Sequence, residues 1–167
     1  LRPQGLTAAP DGRLYVSDDR SGWVFRFNPA DGMIEDSFEA PGPNPAGLAW
    51  ANDTLYLLEQ KTDKIYQVLP EDGTILKIFA APTKSCSTLA FDGTYLWAAD
   101  RIKNEFYAIA PANGEVVTLL SAPGPYPAGI AVHDGDLWNV DFQERKLYRL
   151  LLRADRSYRL SDTRNAR

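Results

Sequence analysis

The chain has 167 residues, 44% of them hydrophobic and 11% aromatic, which suits one domain with a buried core and is too apolar for a disordered segment. Its formal charge of −4 is uneven: residues 145–167 hold eight Arg or Lys against Asp155 and Asp162, leaving −10 on residues 1–144. The acidic bulk excludes a phosphate-tracking nucleic-acid surface. The absence of an apolar run of about 18 residues excludes a helical membrane span, and the single cysteine, Cys86, excludes an internal disulfide or a cysteine-built zinc site.

No basic-then-apolar leader opens the chain and it begins with Leu1, so it reads as processed or excised from something longer. In chain order the first elements are a short apolar run, "GLTAA" from Gly5, and "LYVSDDRSGWVFRFNPADG" from Leu14. The same grammar returns as "GLAWA" and "LYLLEQKTDKIYQVLPEDG", as "TLAF" and "LWAADRIKNEFYAIAPANG", and as "GIAV" and "LWNVDFQERKLYRLLLRAD". The lead residues of the longer segments, Leu14, Leu55, Leu96 and Leu137, are spaced by 41 each time. Two joints between units are nearly identical, "APGPNPAG" from Ala40 and "APGPYPAG" from Ala122; the middle one, "AAPTKSCS", keeps Pro82 in register with Pro41 and Pro123.

Each unit divides into four short strands separated by turn chemistry. In the second unit they are "GLAWA", "TLYLLEQ", "IYQVL" and "TILKIFA", parted by "ND", "KTDK" and "PEDG". The Gly of "PADG", "PEDG" and "PANG" supplies the positive φ of a tight turn, and no helical period is sustained anywhere. The third strand of every unit carries an aromatic residue (Phe25, Tyr66, Tyr107, Tyr148) between apolar neighbours, so burial on both faces is expected there. The predicted fold is all-β, a β-propeller of four blades with four antiparallel strands each, either as such or as part of a larger or oligomer-completed propeller. The blades span about 5–40, 47–81, 88–122 and 129–162, with 163–167 a tail or linker to a further domain.

At "YVSD", "YLLE", "WAAD" and "WNVD", with "VFR", "IYQ", "FYA" or "LYR" beginning six residues after the acid, the chain resembles the YWTD and NHL-type propellers and their relatives among bacterial extracytoplasmic proteins. That resemblance implies a secreted or periplasmic setting and no particular activity, because the architecture hosts lyases, lactonases, cyclases and pure binding domains. Glu59 departs from the usual Asp, Gln67 and Ala108 stand where Arg is expected, and "RADR" replaces the last Asp-Gly turn, so the fourth blade is expected to end irregularly.

The acids Asp18, Glu59, Asp100 and Asp141 occupy one repeat position. One reading is a ring of carboxylates around a calcium-like cation. The other, implied by the YWTD-like pattern, is capping of backbone N–H groups at the end of the second strand; this is the expectation, and neither a metal nor a cofactor is assigned. The only histidine, His133, lies in the "HDGD" turn, Cys86 reads as a small joint residue, and neither a phosphate loop nor a nucleophile elbow occurs. An active site housed in this chain alone is therefore not expected.

Short turns crowd one end of the blades, whereas the loops between strands two and three, with the joints, line the other. A ligand is expected at the variable end. Trp23 replaces Lys64, Glu105 and Lys146 at its repeat position and reads either as a contact anchor or as a plug over the first blade. Arg20, Lys61, Arg101 and Lys103 add positive charge there and Tyr126 stands in a joint. These six residues are the candidate ligand contacts, for a protein or a carboxylate-bearing small molecule. Trp50, Trp97 and Trp138 are expected in the core, and the basic final segment either docks on an acidic partner or forms a solvated edge.

Overall fold

The computed structural model describes residues 1–153 and 157–165, all of them in strands, turns or connecting segments. The first sheet is β1 (Pro3–Ala8), β2 (Leu14–Asp18), β3 (Trp23–Phe27) and β4 (Ile34–Glu39). The second is β5 (Pro45–Ala51), β6 (Thr54–Glu59), β7 (Lys64–Val68) and β8 (Ile75–Ala80), and the third is β9 (Cys86–Phe91), β10 (Leu96–Asp100), β11 (Glu105–Ile109) and β12 (Val116–Ser121). The fourth is β13 (Pro127–His133), β14 (Asp136–Asp141), β15 (Lys146–Leu152) and β16 (Tyr158–Asn165). Each sheet is an antiparallel meander in chain order, so the chain is all-β and consists of four β-propeller blades of four strands. The "RADR" expectation falls on residues 153–156, of which 154–156 lie outside the described residues.

Turn chemistry sets the registers. Gly32, Gly73 and Gly114 close the third hairpin of their blades at φ of 73°, 75° and 77°. The turn between β5 and β6 manages without glycine: Asn52 and Asp53 both take positive φ, as the two central residues of a type I′ hairpin must.

Two compact units divide the chain, Leu1–Lys84 with the first two blades and Ser85–Arg167 with the other two. In the first unit, Tyr15 and Val24 of the first blade join Leu55, Leu57, Tyr66 and Val68 of the second in one buried cluster. Trp50 packs against that cluster with its ring 5.6 Å from Tyr15. In the second unit, Trp97, Ala99 and Phe106 of the third blade meet Leu137, Tyr148 and Leu150 of the fourth. The period of two along a strand thus gives every blade two faces, and within each unit the trailing face of the earlier blade meets the leading face of the later one. Each large apolar side chain buried this way is worth about 1.5–3 kcal/mol.

Burial on both faces holds in β7 and β11, where Ile65, Tyr66, Val68 and the run Phe106–Ile109 are all buried. It does not hold in β3 and β15. Phe25 and Phe27, on the leading face of the first blade, are half-buried, and Leu147, on the trailing face of the fourth, is 38% exposed. Trp97 is core as expected, Trp50 is partly buried, and Trp138 is only partly buried because it lies on that same trailing face. Apolar residues at these positions record the repeat's stacking design even on a face that meets solvent.

Polar order also enters the blade contact of the first unit. Ser17, fully buried, accepts a hydrogen bond from the Gly5 N–H (2.9 Å) and donates one to the Ala46 carbonyl (2.6 Å), joining β1 and β5 through one hydroxyl. Its repeat equivalents Leu58, Ala99 and Val140 are apolar. Ser17→Ala is expected to cost about 1–3 kcal/mol by leaving a buried donor and acceptor without that partner. The exposed Ser121→Ala should stay within about 0.5 kcal/mol of the parent; urea midpoints of the two variants check the contrast.

Candidate functional site

The second strand of each blade ends in its acid, and all four acids are buried. Asp18 accepts the N–H of Ser21 at 2.7 Å and also that of Arg2. Glu59 accepts the Thr62 N–H and hydroxyl on one oxygen, both at 2.6 Å, and the Asn44 N–H on the other at 2.7 Å. Asp100 accepts the N–H groups of Ile102 and Lys103 at 2.8 and 2.9 Å. Asp141 divides its oxygens between Glu144 N–H and Tyr126 N–H, both at 2.7 Å. Each carboxylate therefore clamps the loop that follows it, and Asp18, Glu59 and Asp141 also hold the segment that leads into the first strand of their blade. Burial alone would raise the Asp18 carboxyl, but the hydrogen bonds from Ser21 and Arg2 outweigh it and hold the group below the ordinary aspartate range.

Among the described residues no three His, Cys, Asp or Glu side chains gather as a metal site. The capping role expected of the acids is the one the hydrogen bonds display.

These clamps explain the repeated octapeptide. A Cβ on Gly42 would lie 2.7 Å from Cγ of Glu59, and one on Gly124 would lie 2.7 Å from Cγ of Asp141. "PGP" is thus the shape of a backbone pressed onto a carboxylate, and the next residue, Asn44 or Tyr126, donates its N–H to that same acid. Backbone bonds complete the tie: Ala40 N–H to Gly22 carbonyl, Ala81 to Asp63 and Ala122 to Asn104, at 2.7–2.9 Å. Loops and joints are held together at one end of each blade.

A second constraint recurs in those loops. Gly22, Asp63, Asn104 and Arg145 hold one repeat position and all have positive φ, between 54° and 76°. Gly, Asp and Asn accept that region readily, whereas Arg145 does so at a cost of about 1–2 kcal/mol.

In the first unit, Arg20 and Lys61 are exposed and Trp23 is 38% exposed, beside Glu39 on the next strand. Arg20, Ser21 and Gly22 face Glu39, Pro41 and Pro43 across an open cleft of about 360 Å³. In the second unit, Arg101 and Lys103 flank Ile102 and all three are exposed. Tyr126 is half-buried with its ring tilted against Phe142, centroids 5.6 Å apart. Phe142, Val140, Gln143 and Arg145 line a shallow, mainly apolar depression of about 480 Å³.

Ile102 and Phe142 were not among the sequence candidates, yet they are 69% and 71% exposed. The signal that singled out Trp23 applies to both. Ile102 stands where the other blades have Arg20, Lys61 and Gln143, and Phe142 stands where they have Asp19, Gln60 and Arg101.

Three tyrosines of the third strands turn their hydroxyls toward the same loops. Tyr107 donates to Glu105, Tyr148 to Glu144, and the Tyr66 hydroxyl lies 3.3 Å from that of Thr62. Burial, with Glu105 adding to it, pushes Tyr107 far above the ordinary phenol range, and burial with Glu144 raises Tyr148. Tyr107 and Tyr148 are hydrogen-bond donors at neutral pH, not bases. Lys146, 2.8 Å from Glu144, and the Tyr148 hydroxyl keep that carboxyl below its usual value. His133 pairs with Asp136 at the hairpin end of its blade, about 20 Å along the strand from the Pro127–Asp141 end. Cys86 is buried.

No family model matches the chain, and no curated protein sequence matches it. Solved structures do. Virginiamycin B lyase from Staphylococcus aureus, as a catalytically inactive variant with quinupristin, is 25% identical over 95% of this chain and 54% of its own, with a TM-score of 0.69. Glutaminyl cyclase from Myxococcus xanthus is 19% identical over 97% of this chain and 73% of its own, TM-score 0.76. The WD40 repeats of RRP9 are 13% identical over 96% and 51%, TM-score 0.73. What these share with the chain is the β-propeller fold, across a lyase, a cyclase and a repeat domain, and the chain spans about half the length of the lyase it matches.

Glu59→Ala is expected to cost about 2–4 kcal/mol, since it strips the partner from several donors at once. Gly42→Ala should cost about 1–3 kcal/mol in the parent but much less in the Glu59→Ala background, where the space it needs has been vacated. A double-mutant cycle on unfolding free energies reads this coupling, and strict additivity would contradict the close approach.

Proposed function

We propose that this chain is a recognition module of a larger extracytoplasmic protein and binds an acidic, aromatic-bearing segment of a partner protein at the loop ends of its blades. The observation that carries the reading is the make-up of the loops between second and third strands. Three of the four carry at least one cation and display an exposed large apolar side chain, Ile102 or Phe142 in the loop itself or Trp23 as the first residue of the strand that follows, and each loop is clamped by a buried acid. Apolar anchors on a pre-organised backbone lose little entropy on binding, and neighbouring Arg20, Arg101, Lys103 and Arg145 set the preferred charge of the partner. The opposite ends, closed by short hairpins of fixed φ, offer no such variety. The sequence candidates Arg20, Trp23, Lys61, Arg101, Lys103 and Tyr126 belong to this proposal, joined by Ile102 and Phe142.

The likeness to virginiamycin B lyase favours a second reading, in which the chain is part of a propeller enzyme whose site is completed by further blades or a second copy. The sole histidine, at the hairpin end, weighs against a histidine-dependent centre at the loop end.

Peptides selected from a displayed random library on the immobilised chain are expected to be acidic with an aromatic residue. By calorimetry, Trp23→Ala should weaken peptides held by the first unit, and Arg101→Ala and Phe142→Ala those held by the second, each roughly 5–30-fold, as single interface anchors do. Affinity unchanged in all three variants would place recognition elsewhere and remove the proposal. For the second reading, quinupristin incubated with the chain should be converted to a new chromatographic species; recovery of the intact compound after prolonged incubation contradicts it.

A further inference from the structure

The leading face of the first blade and the trailing face of the fourth are built like blade interfaces but are not buried like them. On the leading face of the first blade, Leu6 is 63% exposed and Val16, Phe25 and Phe27 are half-buried. Their repeat equivalents in the other blades are buried almost completely: Leu57, Ala98 and Asn139 for Val16, Tyr66, Tyr107 and Tyr148 for Phe25, and Val68, Ile109 and Leu150 for Phe27. The trailing face of the fourth blade shows the converse. Val140 is 50% exposed where Ser17, Leu58 and Ala99 are buried, and Leu147 is 38% exposed where Val24, Ile65 and Phe106 are completely buried. Beside them Trp138 lies under the Arg149 guanidinium, 5.6 Å from the ring centre, and its indole N–H is shielded from water without a hydrogen-bond partner among the described residues. In the third blade the equivalent indole, Trp97, donates to Asp92 at 2.7 Å.

We propose that these two faces are mates, and that the trailing face of the fourth blade in one copy of this chain docks on the leading face of the first blade in a second copy. The two packed blade pairs, first with second and third with fourth, are the template. Trailing face meets leading face between the first and second blades and again between the third and fourth, through the same repeat positions. A partner using this interface must therefore present the other half of the repeat, and the chain itself carries that half. Charge agrees: residues 1–40 hold four Arg against seven Asp or Glu, and residues 127–165 hold seven Arg or Lys against six Asp or Glu, so the first end is acidic (−3) and the other basic (+1). Length agrees as well. The chain covers 54% of the virginiamycin B lyase chain, so two copies supply about the length of one such propeller. Such a contact is heterologous, engaging different surfaces on the two partners.

Analytical ultracentrifugation of the 167-residue chain across about 1–100 μM is expected to show a concentration-dependent pair. Phe25→Asp and Val140→Asp, both at solvent-accessible positions, should each give a monomer, with circular dichroism and melting temperature close to the parent as proof of folding. Mixing the two variants should restore a pair, because each still offers the face the other lacks. A parent chain that is monomeric throughout overturns the proposal and leaves the faces to further blades of a longer polypeptide. A pair that survives either single substitution, or one that mixing fails to restore, overturns it too, since the contact would then lie elsewhere.

Discussion

A buried carboxylate that accepts backbone N–H groups is the interaction on which the remainder of the architecture depends. A short antiparallel sheet with exposed loops has little intrinsic reason to hold its loop ends still. Here each second strand delivers one acid into a buried position, where leaving it without donors would cost several kcal/mol. The loop behind the acid therefore folds back to supply N–H groups, and for Asp18, Glu59 and Asp141 the segment entering the first strand supplies another. Short charge-assisted bonds of this kind are roughly twice as strong as neutral ones. The glycine of the repeated joint follows from this clamp, because the backbone must approach the carboxylate more closely than a β-carbon allows.

Once the acids are committed to scaffolding, the loops are free to differ from blade to blade in what they display. The tyrosine hydroxyls behind the loops are engaged with Glu105, Glu144 and Thr62. What faces solvent is a set of side chains that break the repeat: an indole, a phenyl ring and an aliphatic chain among guanidinium and ammonium groups. Rigid framework and irregular display are complementary outcomes of one repeated sequence, since identical clamps permit different decorations.

Much of the architecture could be read from residue spacing. Leucines 41 apart, the Asp-Gly and Asn-Gly turns and the acid closing each second strand specify blades of four strands, and the capping role follows from the cost of unpaired donors. Other features escaped. Phe25 and Leu147 carry the same local pattern as their buried counterparts, because hydrophobic periodicity encodes which face is apolar but not whether anything lies on it. Ile102 and Phe142 were legible by the rule that identified Trp23, but an isolated apolar residue in a charged loop looks like an ordinary exception until its exposure is known. Arg145 could not be recognised as strained, since its unusual φ becomes visible only when Gly22, Asp63 and Asn104 are aligned with it as occupants of one conformation.

The meander order bears on how such a chain reaches its native state. Every ladder joins strands adjacent in sequence, with paired residues such as Pro3 and Asp18 or Lys146 and Asn165 less than twenty positions apart. Ring-closure entropy is small for segments this short, so a blade can zip before the following one has left the ribosome. A nascent polypeptide of this design avoids the slow search for distant partners that delays most β proteins, and it keeps few unsatisfied ladder edges waiting during synthesis.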